Sequence, residues 1–373
     1  MRKHIPLATP HMSEEGYELE YIHDAFRKNW IAPLGENVNE FEKALAAFLG
    51  EGYTVALSAG TAALHLSMIL AGVKPGDKVF CQSMTFSASV NPVAYLGAEP
   101  VFIDSDYKTW NMDPDALERA FALYGKPAAV VVVHLYGNPA KMEEILAVCQ
   151  KHQVPLIEDA AEALGSEYKG RKCGTFGNFG ILSFNGNKII TTSGGGMLVC
   201  KKEADARHAL KLATQAREPF PWYQHEEIGY NYRLSNVSAG IGRGQMKVLA
   251  RRVEQKRAIC RRYMQGLSGL PVTMQPVLPG SEPNCWLSAI LVEEGCPVTP
   301  GQIIAALGEQ NMEARHLWKP MHAQPVFADA PFVSVEEKAV SDDLFARGVC
   351  LPSDTKMTME DVDRVCAVIR SLF

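Results

Sequence analysis

The stretch FGILSFNGNKIITTSGGGMLV, residues 179 to 199, decides how the rest of the chain is interpreted. Its first part, GILSF at 180–184, predicts a short buried strand, and MLV at 197–199 predicts a second one. Between them lie a polar turn, the single lysine Lys188 and three consecutive glycines. A lysine held against a dry core is partly desolvated, which lowers the pKa of its amine and suits it to form a Schiff base. The alternative is a solvated lysine at a hairpin tip, and this stretch alone favours that alternative.

The composition is that of an ordinary globular protein. The chain is 47% hydrophobic and 21% charged. Its 373 residues are sufficient for two domains. The net charge of −5 offers no basic excess for nucleic acid or acidic lipid. The nine cysteines form no CxxC pair or Cys/His cluster, so we expect neither a zinc site nor disulfides, and free thiols suit the cytoplasm. No apolar segment follows the basic start MRKH at 1–4, so the sequence predicts no signal peptide and no membrane span.

Strands and helices alternate from residue 54 to residue 159. This βαβ alternation predicts a mainly parallel sheet with helices on both sides. Ligands of such sheets bind at the carboxyl ends of the strands. Four residues with useful side chains fall at predicted strand ends: Ser58, Phe86, His134 and Asp159.

Three local features of the sequence each have a second interpretation. Gly60 and Thr61 begin a helix after a strand, which offers free N–H groups to an anion, but a plain βα turn fits equally well. Asp159 could simply cap a short helix over 160–164, which is the better interpretation on its own. Trp30, in the irregular segment 29–35, either fills the core or borders a pocket.

The pattern changes in the second half of the chain. The aromatic and polar stretch 223–236 has little periodicity and predicts a functional loop. A long helix is predicted over 237–267, and several prolines after residue 270 mark a boundary. The sequence therefore predicts a large cofactor-binding domain over 1–250 and a smaller α+β domain over 251–373, joined by this helix.

Taken together, these residues provide the groups that a binding site for pyridoxal phosphate requires. Its aldehyde needs a lysine, here Lys188, and its ring nitrogen needs a carboxylate, here Asp159. The ring needs an aromatic neighbour such as Phe86. The phosphate needs a helix N-terminus with hydroxyl groups, which Thr61 and Ser183 supply.

The sequence also resembles a known family over almost its whole length. The matching segments follow the family order: 30–35 with 41–42, 58–64, 85–86, 158–165, 183–188, 229–233 and 318–322. On these residues the chain resembles the fold-type-I pyridoxal-phosphate enzymes and, within them, the DegT-type nucleotide-sugar aminotransferases. The resemblance implies an α/β fold, with a mainly parallel seven-stranded sheet in the large domain, and a homodimer with shared active sites.

The resemblance also assigns expected roles to individual residues. Lys188 would bind the cofactor covalently and move the proton, and Asp159 would pair with the pyridine nitrogen. Phe86 and Ala161 would cover the two ring faces, and Glu162 would lie near the phenolic oxygen, where many relatives have Gln or His. The remaining residues fall in two groups. The phosphate would be held by Gly60, Thr61, Ser183 and the partner's Asn231, and the sugar nucleotide would be bound by Trp30, His225, Arg315, His316, Trp318 and His322.

The amino-acid sequences of segments 183–188 and 318–322 most resemble those of enzymes that aminate C4 of a UDP-linked 4-keto-6-deoxy-N-acetylated sugar. Such enzymes act in the synthesis of bacterial surface glycans, with L-glutamate as the amino donor. Alternatives are a GDP- or dTDP-linked keto-sugar, or a small amino acid. Some relatives have histidine in place of the lysine and dehydrate the sugar, and Lys188 argues against that reaction. A regulatory DNA-binding protein is disfavoured because the chain shows no helix-turn-helix and is acidic.

Overall fold

A central eight-stranded sheet organises the chain, and the computed structural model describes residues 3 to 373 of it. Met1 and Arg2 lie outside the described residues. They belong to the basic start from which the sequence predicts no signal peptide. The α-helices within 3–373 are α1 (Tyr17–Arg27), α2 (Glu36–Leu49), α3 (Gly60–Leu70), α4 (Asn91–Tyr95), α5 (Pro114–Tyr124), α6 (Met142–Lys151), α7 (Glu203–Ala213), α8 (Asn236–Met246), α9 (Leu249–Gly266), α10 (Pro300–Glu309), α11 (Val340–Arg347) and α12 (Met359–Arg370).

The strands form three sheets, of which the central one carries the site. The strands within the same residues are β1 (Tyr53–Leu57), β2 (Lys78–Gln82), β3 (Glu99–Ile103), β4 (Ala129–Val133), β5 (Leu156–Asp159), β6 (Glu167–Tyr168), β7 (Arg171–Lys172), β8 (Phe179–Ser183), β9 (Gly196–Cys200), β10 (Val272–Met274), β11 (Ser281–Glu282), β12 (Ser288–Val292), β13 (Arg315–His316), β14 (Phe332–Val333) and β15 (Gly348–Leu351).

The central sheet is mainly parallel, as the alternation predicts. Its order is β1-β9-β8-β5-β4-β2-β3-β14, and β9 runs antiparallel to both of its neighbours. The middle strand β4 reads AVVVV with every residue buried, because helices cover a parallel sheet on both faces. The sheet has eight strands rather than the expected seven, since the two-residue strand β14 returns from the C-terminal region to pair with β3.

The predicted helix over 237–267 is wrong as a single element. The chain forms α8 and α9 instead, and the backbone of Val248 leaves the helical region between them with φ −112° and ψ 1°. Helix α8 packs its glycines closely against α1 and α2, whereas α9 leads to the C-terminal sheet. The short helix considered for 160–164 is also absent, because those residues form turns.

The C-terminal region has its own antiparallel sheet, in the order β10-β12-β15-β13. Its hydrophobic core also includes Ile5, which forms a bridge with Met312. The N-terminal segment therefore packs into the C-terminal region, whereas β14 from that region pairs with the central sheet. The division at residue 250 stays a prediction. Within residues 3–373, none of the helices is both long and apolar enough to cross a membrane.

Candidate active site

A cavity of about 320 Å³ opens at the carboxyl edge of the central sheet. It is lined by the ends of β1, β5 and β8, by the start of α3 and by two tryptophans from the C-terminal half. The cavity brings together nine of the predicted site residues: Gly60, Thr61, Phe86, Asp159, Ala161, Glu162, Ser183, Lys188 and Trp318. Residues that are scattered over 259 positions of sequence therefore line one space.

Lys188 lies in the turn that follows β8, with its side chain only 14% exposed. Its amine is 4.1 Å from the centroid of the Trp286 ring and 3.9 Å from Glu162 Oε1. Burial lowers the pKa of this amine, although the carboxylate opposes the change. Trp286 also fixes the turn, because its Nε1–H donates to the carbonyl of Asn187 at 2.7 Å. The solvated hairpin tip is thus excluded, and a desolvated lysine is found.

Asp159 ends β5 and is almost completely buried. One carboxylate oxygen accepts a hydrogen bond from Ser89 Oγ at 2.6 Å, and the other accepts from the backbone N–H of Ala161 at 3.1 Å. Ser89 Oγ in turn lies 2.7 Å from Thr85 Oγ1. These contacts hold the carboxylate at the cavity wall without neutralising it by an ion pair.

The start of α3 also lines the cavity. Its N-cap is Ala59, which has no side chain to cap the first-turn N–H groups, and the first turn has no acidic residue. A Cβ at Gly60 would lie 3.2 Å from Ser183 Cβ, so glycine lets the helix approach the serine closely. Helix N-termini of this kind bind phosphate through free N–H groups and the helix dipole.

Glu162 is the second carboxyl group of the cavity. Burial raises the pKa of this group, and the nearby Lys188 and two hydrogen bonds act against that rise. The backbone N–H of Tyr136 donates to Oε2 at 2.6 Å, and Trp318 Nε1–H donates to Oε1 at 3.3 Å. Trp318 also packs against Phe86, with ring centroids 5.5 Å apart.

Six predicted site residues lie outside this cavity. Trp30 borders a separate surface pocket, and Asn231 and His225 are exposed on the loop after α7. Arg315 and His316 are exposed on β13. His322 instead forms a hydrogen bond with Ser83 Oγ at 2.7 Å, and its ring stacks on Phe332. These contacts fix the segment around His322 against the end of β2.

Sequence reasoning missed three residues that shape the site: Trp286, Ser89 and Tyr136. No local pattern distinguishes Trp286 from a core tryptophan, and Ser89 is one of several serines in its segment. Tyr136 follows the buried strand β4, and its position near a strand end is the one signal that could have pointed to it.

Comparison with known proteins gives a consistent result. Residues 12–370 match the DegT/DnrJ/EryC1/StrS aminotransferase family. The chain is 52% identical to EpsN of Bacillus subtilis, whose name places it among pyridoxal phosphate-dependent aminotransferases, over 100% of this chain and 97% of that one. It is 35% identical to GDP-perosamine synthase of Caulobacter vibrioides over 98% and 97%. The structure of the aminotransferase TlmJ from Streptoalloteichus hindustanus has a TM-score of 0.88 and 30% identity over 98% of each chain.

The mainly parallel sheet, with a buried lysine, a buried aspartate and an uncapped helix N-terminus at one edge, matches the structures of fold-type-I aminotransferases. The chain belongs to the DegT/DnrJ/EryC1/StrS aminotransferase family. It is a sugar aminotransferase that depends on pyridoxal phosphate.

The residues present fit this cofactor. The first-turn N–H groups of α3 have no cap or acidic neighbour, which suits a phosphate. Asp159 offers a carboxylate, and Lys188 offers an amine at the same cavity.

Proposed function

We propose that the protein transfers an amino group from L-glutamate to the keto carbon of a nucleotide-linked sugar, with UDP-4-keto-6-deoxy-N-acetylglucosamine as the acceptor. The observation that carries the proposal is the single cavity that joins Lys188, Asp159 and the N-terminus of α3. The named products of relatives support a nucleotide sugar. One is GDP-perosamine, and another is the TDP-sugar product in whose presence the structure of DesI was determined; that structure is 25% identical to this chain with a TM-score of 0.89. The UDP-linked sugar rests on the resemblance of 183–188 and 318–322.

The cavity residues would hold the cofactor from all sides. Lys188 would attach it, Asp159 would pair with its ring nitrogen, and Phe86 and Ala161 would contact its two faces. Gly60, Thr61 and Ser183 would bind the phosphate. The bound cofactor supplies an electron sink for the carbon from which a proton is removed.

The remaining chemistry belongs to the side chains. Lys188 Nζ would take the proton from the amino donor and return it during amination of the sugar, and its low exposure keeps bulk water from competing for that proton. Asp159 keeps a negative charge beside the ring nitrogen, and its bonds to Ser89 and Ala161 fix that charge in place.

The sugar nucleotide would enter between the large body and the C-terminal segment. Trp318 and Phe86 form the aromatic wall of the cavity on that side. We infer that Trp30, His225, Arg315 and His316 complete the pocket in a homodimer, in which Trp30 and His225 would come from the partner subunit. His322 would act indirectly, by fixing the segment that carries Trp318. The nine free thiols support a cytoplasmic reaction.

The test is to incubate the enzyme with L-glutamate and a panel of UDP-, GDP- and dTDP-linked 4-keto-6-deoxy sugars, and to identify products by NMR. We expect a 4-amino sugar from the UDP-linked N-acetylated acceptor, and no product from the Lys188→Ala variant. A faster reaction with a GDP- or dTDP-linked acceptor would overturn the UDP assignment. Turnover of small keto acids alone, with no sugar aminated, would overturn the nucleotide-sugar proposal.

A further inference from the structure

A closed ring of hydrogen bonds joins three segments beside Lys188. The backbone N–H of Tyr136 donates to Glu162 Oε2 at 2.6 Å, and the backbone N–H of Trp318 donates to Tyr136 Oη at 2.8 Å. Trp318 Nε1–H closes the ring by donating to Glu162 Oε1 at 3.3 Å. The three residues come from the turn after β4, the loop after β5 and the segment after β13.

The backbone of Tyr136 is strained. Its φ of 57° and ψ of 17° place a buried aromatic residue in the left-handed region that favours glycine. Such outliers persist only where surrounding contacts enforce them, and they cluster at functional sites. Here the conformation is what brings the Tyr136 N–H to the Glu162 carboxyl group while its hydroxyl reaches Trp318.

The surroundings enforce this turn from the other side. Gly137 also has a left-handed φ of 90°, and a Cβ there would lie 1.9 Å from Asn284 Oδ1. Asn284 Nδ2 in turn donates to the backbone carbonyls of Glu162 and Leu164, both at 2.9 Å. The turn and the backbone of Glu162 are therefore fixed together.

We propose that Tyr136 is a positioning residue. Through this ring it holds Glu162 as the counter-charge of Lys188, and it couples the charge of Glu162 to the position of Trp318. The proposal rests on the proposed function, because it takes Lys188 as the lysine that binds the cofactor. Glu162 uses both oxygens within the ring and still lies 3.9 Å from Lys188 Nζ. A carboxylate at that distance stabilises the protonated form of a nitrogen at Lys188.

The other titratable groups near Glu162 leave this interpretation intact. They are Lys188, Asp159, Tyr136 and, behind the tyrosine, Cys350. Burial raises the pKa of Tyr136 well above its usual value and that of Cys350 to about 12, so both stay neutral in the working range. Asp159 is present in every variant used below.

The test compares E162Q, Y136F and W318F with a matched control, Y263F. Tyr263 is also a buried tyrosine that bonds to backbone, donating to the Pro352 carbonyl at 2.8 Å, but it lies in the C-terminal core. In the holoenzyme, the readout is the pH midpoint at which the absorbance of the bound cofactor changes. In the cofactor-free protein, it is the rate at which an amine reagent labels Lys188 at fixed pH.

We expect E162Q to lower the midpoint by about one unit and to speed labelling about tenfold, since one pKa unit changes the neutral amine fraction tenfold. Y136F removes the acceptor for the Trp318 backbone N–H, so Trp318 is held less firmly and the bond from its Nε1–H to Glu162 weakens, while the backbone N–H of residue 136 still donates to Glu162. It should shift both readouts in the same direction by a smaller amount, about threefold in labelling.

W318F removes the Nε1–H donor directly, and it keeps the test decisive if Y136F does not fold. The proposal is overturned if Y136F and W318F leave the midpoint and the labelling rate at the values of Y263F, or if E162Q changes neither. Both readouts are taken without sugar, so they are independent of which acceptor the enzyme aminates. If the sugar panel gives no product while these shifts occur, only the proposed substrate fails.

Discussion

At the scale of single residues, two lysines allow the cofactor assignment to be tested against burial alone. Lys256 is also buried, and burial lowers the pKa of its amine to about 8, but it donates to the backbone carbonyls of Trp286 and Ser353 and does not line the cavity. Lys188 instead lines the cavity. A low pKa by itself would favour both lysines, whereas position favours only Lys188.

Borohydride reduction of the holoenzyme, followed by peptide mapping, should therefore place the pyridoxyl label on Lys188. The Lys188→Ala variant should lose the label, because no other amine of the described residues lines the cavity beside Asp159. A label found on Lys256 would show that desolvation, and not the geometry of the site, selects the reactive lysine.

Asp159 can be tested by removing its charge while keeping its shape. In Asp159→Asn the bound cofactor loses the charge beside its ring nitrogen, so we expect kcat to fall roughly a hundredfold or more, as when one preorganised electrostatic partner is removed. Ser89→Ala removes only a hydrogen-bond donor of that carboxylate and should cost far less. The measurement is kcat together with cofactor affinity, and near-normal kcat in Asp159→Asn would leave the aspartate a structural role only.

The sequence predicts Asp159 because it falls at the end of a strand, where ligands bind in parallel sheets, and it predicts Lys188 because that residue follows a polar turn between two apolar segments. It does not predict what surrounds Glu162. The two donors to its carboxylate are the backbone of Tyr136, which depends on a strained φ, and Trp318, 156 residues further along the chain. Neither a backbone conformation of this kind nor so distant a contact leaves a periodic signal.

At the scale of elements, the glycines of α8 show why the predicted long helix is two helices. A Cβ at Gly244 would lie 2.6 Å from the backbone nitrogen of Glu18 and 2.8 Å from its Cα, so α8 and α1 pack backbone to backbone. Helical periodicity runs through 237–267, but the close packing holds α8 against α1, and the backbone leaves the helical region at Val248 before α9 begins. The sequence pattern therefore predicts the helical residues and misses the break.

Gly244→Ala and Gly308→Ala should change stability in opposite directions. In α8 the new methyl group meets backbone that cannot move aside, so we expect a loss of about 1–3 kcal/mol from overpacking. In α10, nothing lies within 4 Å of a Cβ at Gly308, so alanine should add about 0.5–1 kcal/mol through helix propensity. Urea denaturation measures both, and equal effects would contradict this account of α8.

Helix α11 is joined to the segment after β3 through Asp343. Burial alone would raise the pKa of this carboxyl group, but hydrogen bonds from Arg347, Lys338 and Tyr107 lower it to about 2. A carboxyl group whose pKa falls on folding stabilises the folded protein fully at pH values above its unfolded-state pKa, which is near 3.8. That contribution is lost as the pH falls through the folded-state pKa of about 2.

Asp343→Asn should therefore lower the free energy of unfolding by about 2 kcal/mol at pH 7, with the difference shrinking steadily below pH 4. The control is Asp363→Asn. Asp363 also forms two hydrogen bonds with an arginine, Arg262, but that pair is exposed to solvent and should contribute little. A difference for Asp343→Asn that does not depend on pH would contradict the linkage.

At the scale of the whole molecule, one chain supplies only part of the expected site. Asn231 and His225 are exposed on the loop after α7, and neither reaches the cavity of its own chain. The same loop exposes the large apolar side chains of Trp222, Tyr223 and Ile228, which is typical of a surface that another protein covers. The sequence predicts these residues as functional through resemblance, but no pattern within one chain shows which subunit they serve.

A twofold dimer would resolve this, because each loop would reach the other subunit's cavity and every contact would occur twice. The test combines two variants that are each expected to be nearly inactive. Lys188→Ala removes the amine, and Asn231→Asp places a carboxylate where it would repel the phosphate. Co-expression mixes the subunits, and heterodimers are isolated by two different affinity tags.

If Lys188 and Asn231 serve one site from different chains, every heterodimer has one site with both lesions and one with neither. Random mixing then restores roughly a quarter of the sites, and purified heterodimers have half of the wild-type sites. If both residues serve the same site from one chain, each site keeps one lesion and mixing restores nothing. Recovered activity in the heterodimer therefore reports whether the loop crosses the interface, and inactive heterodimers of proven composition would rule out the shared site.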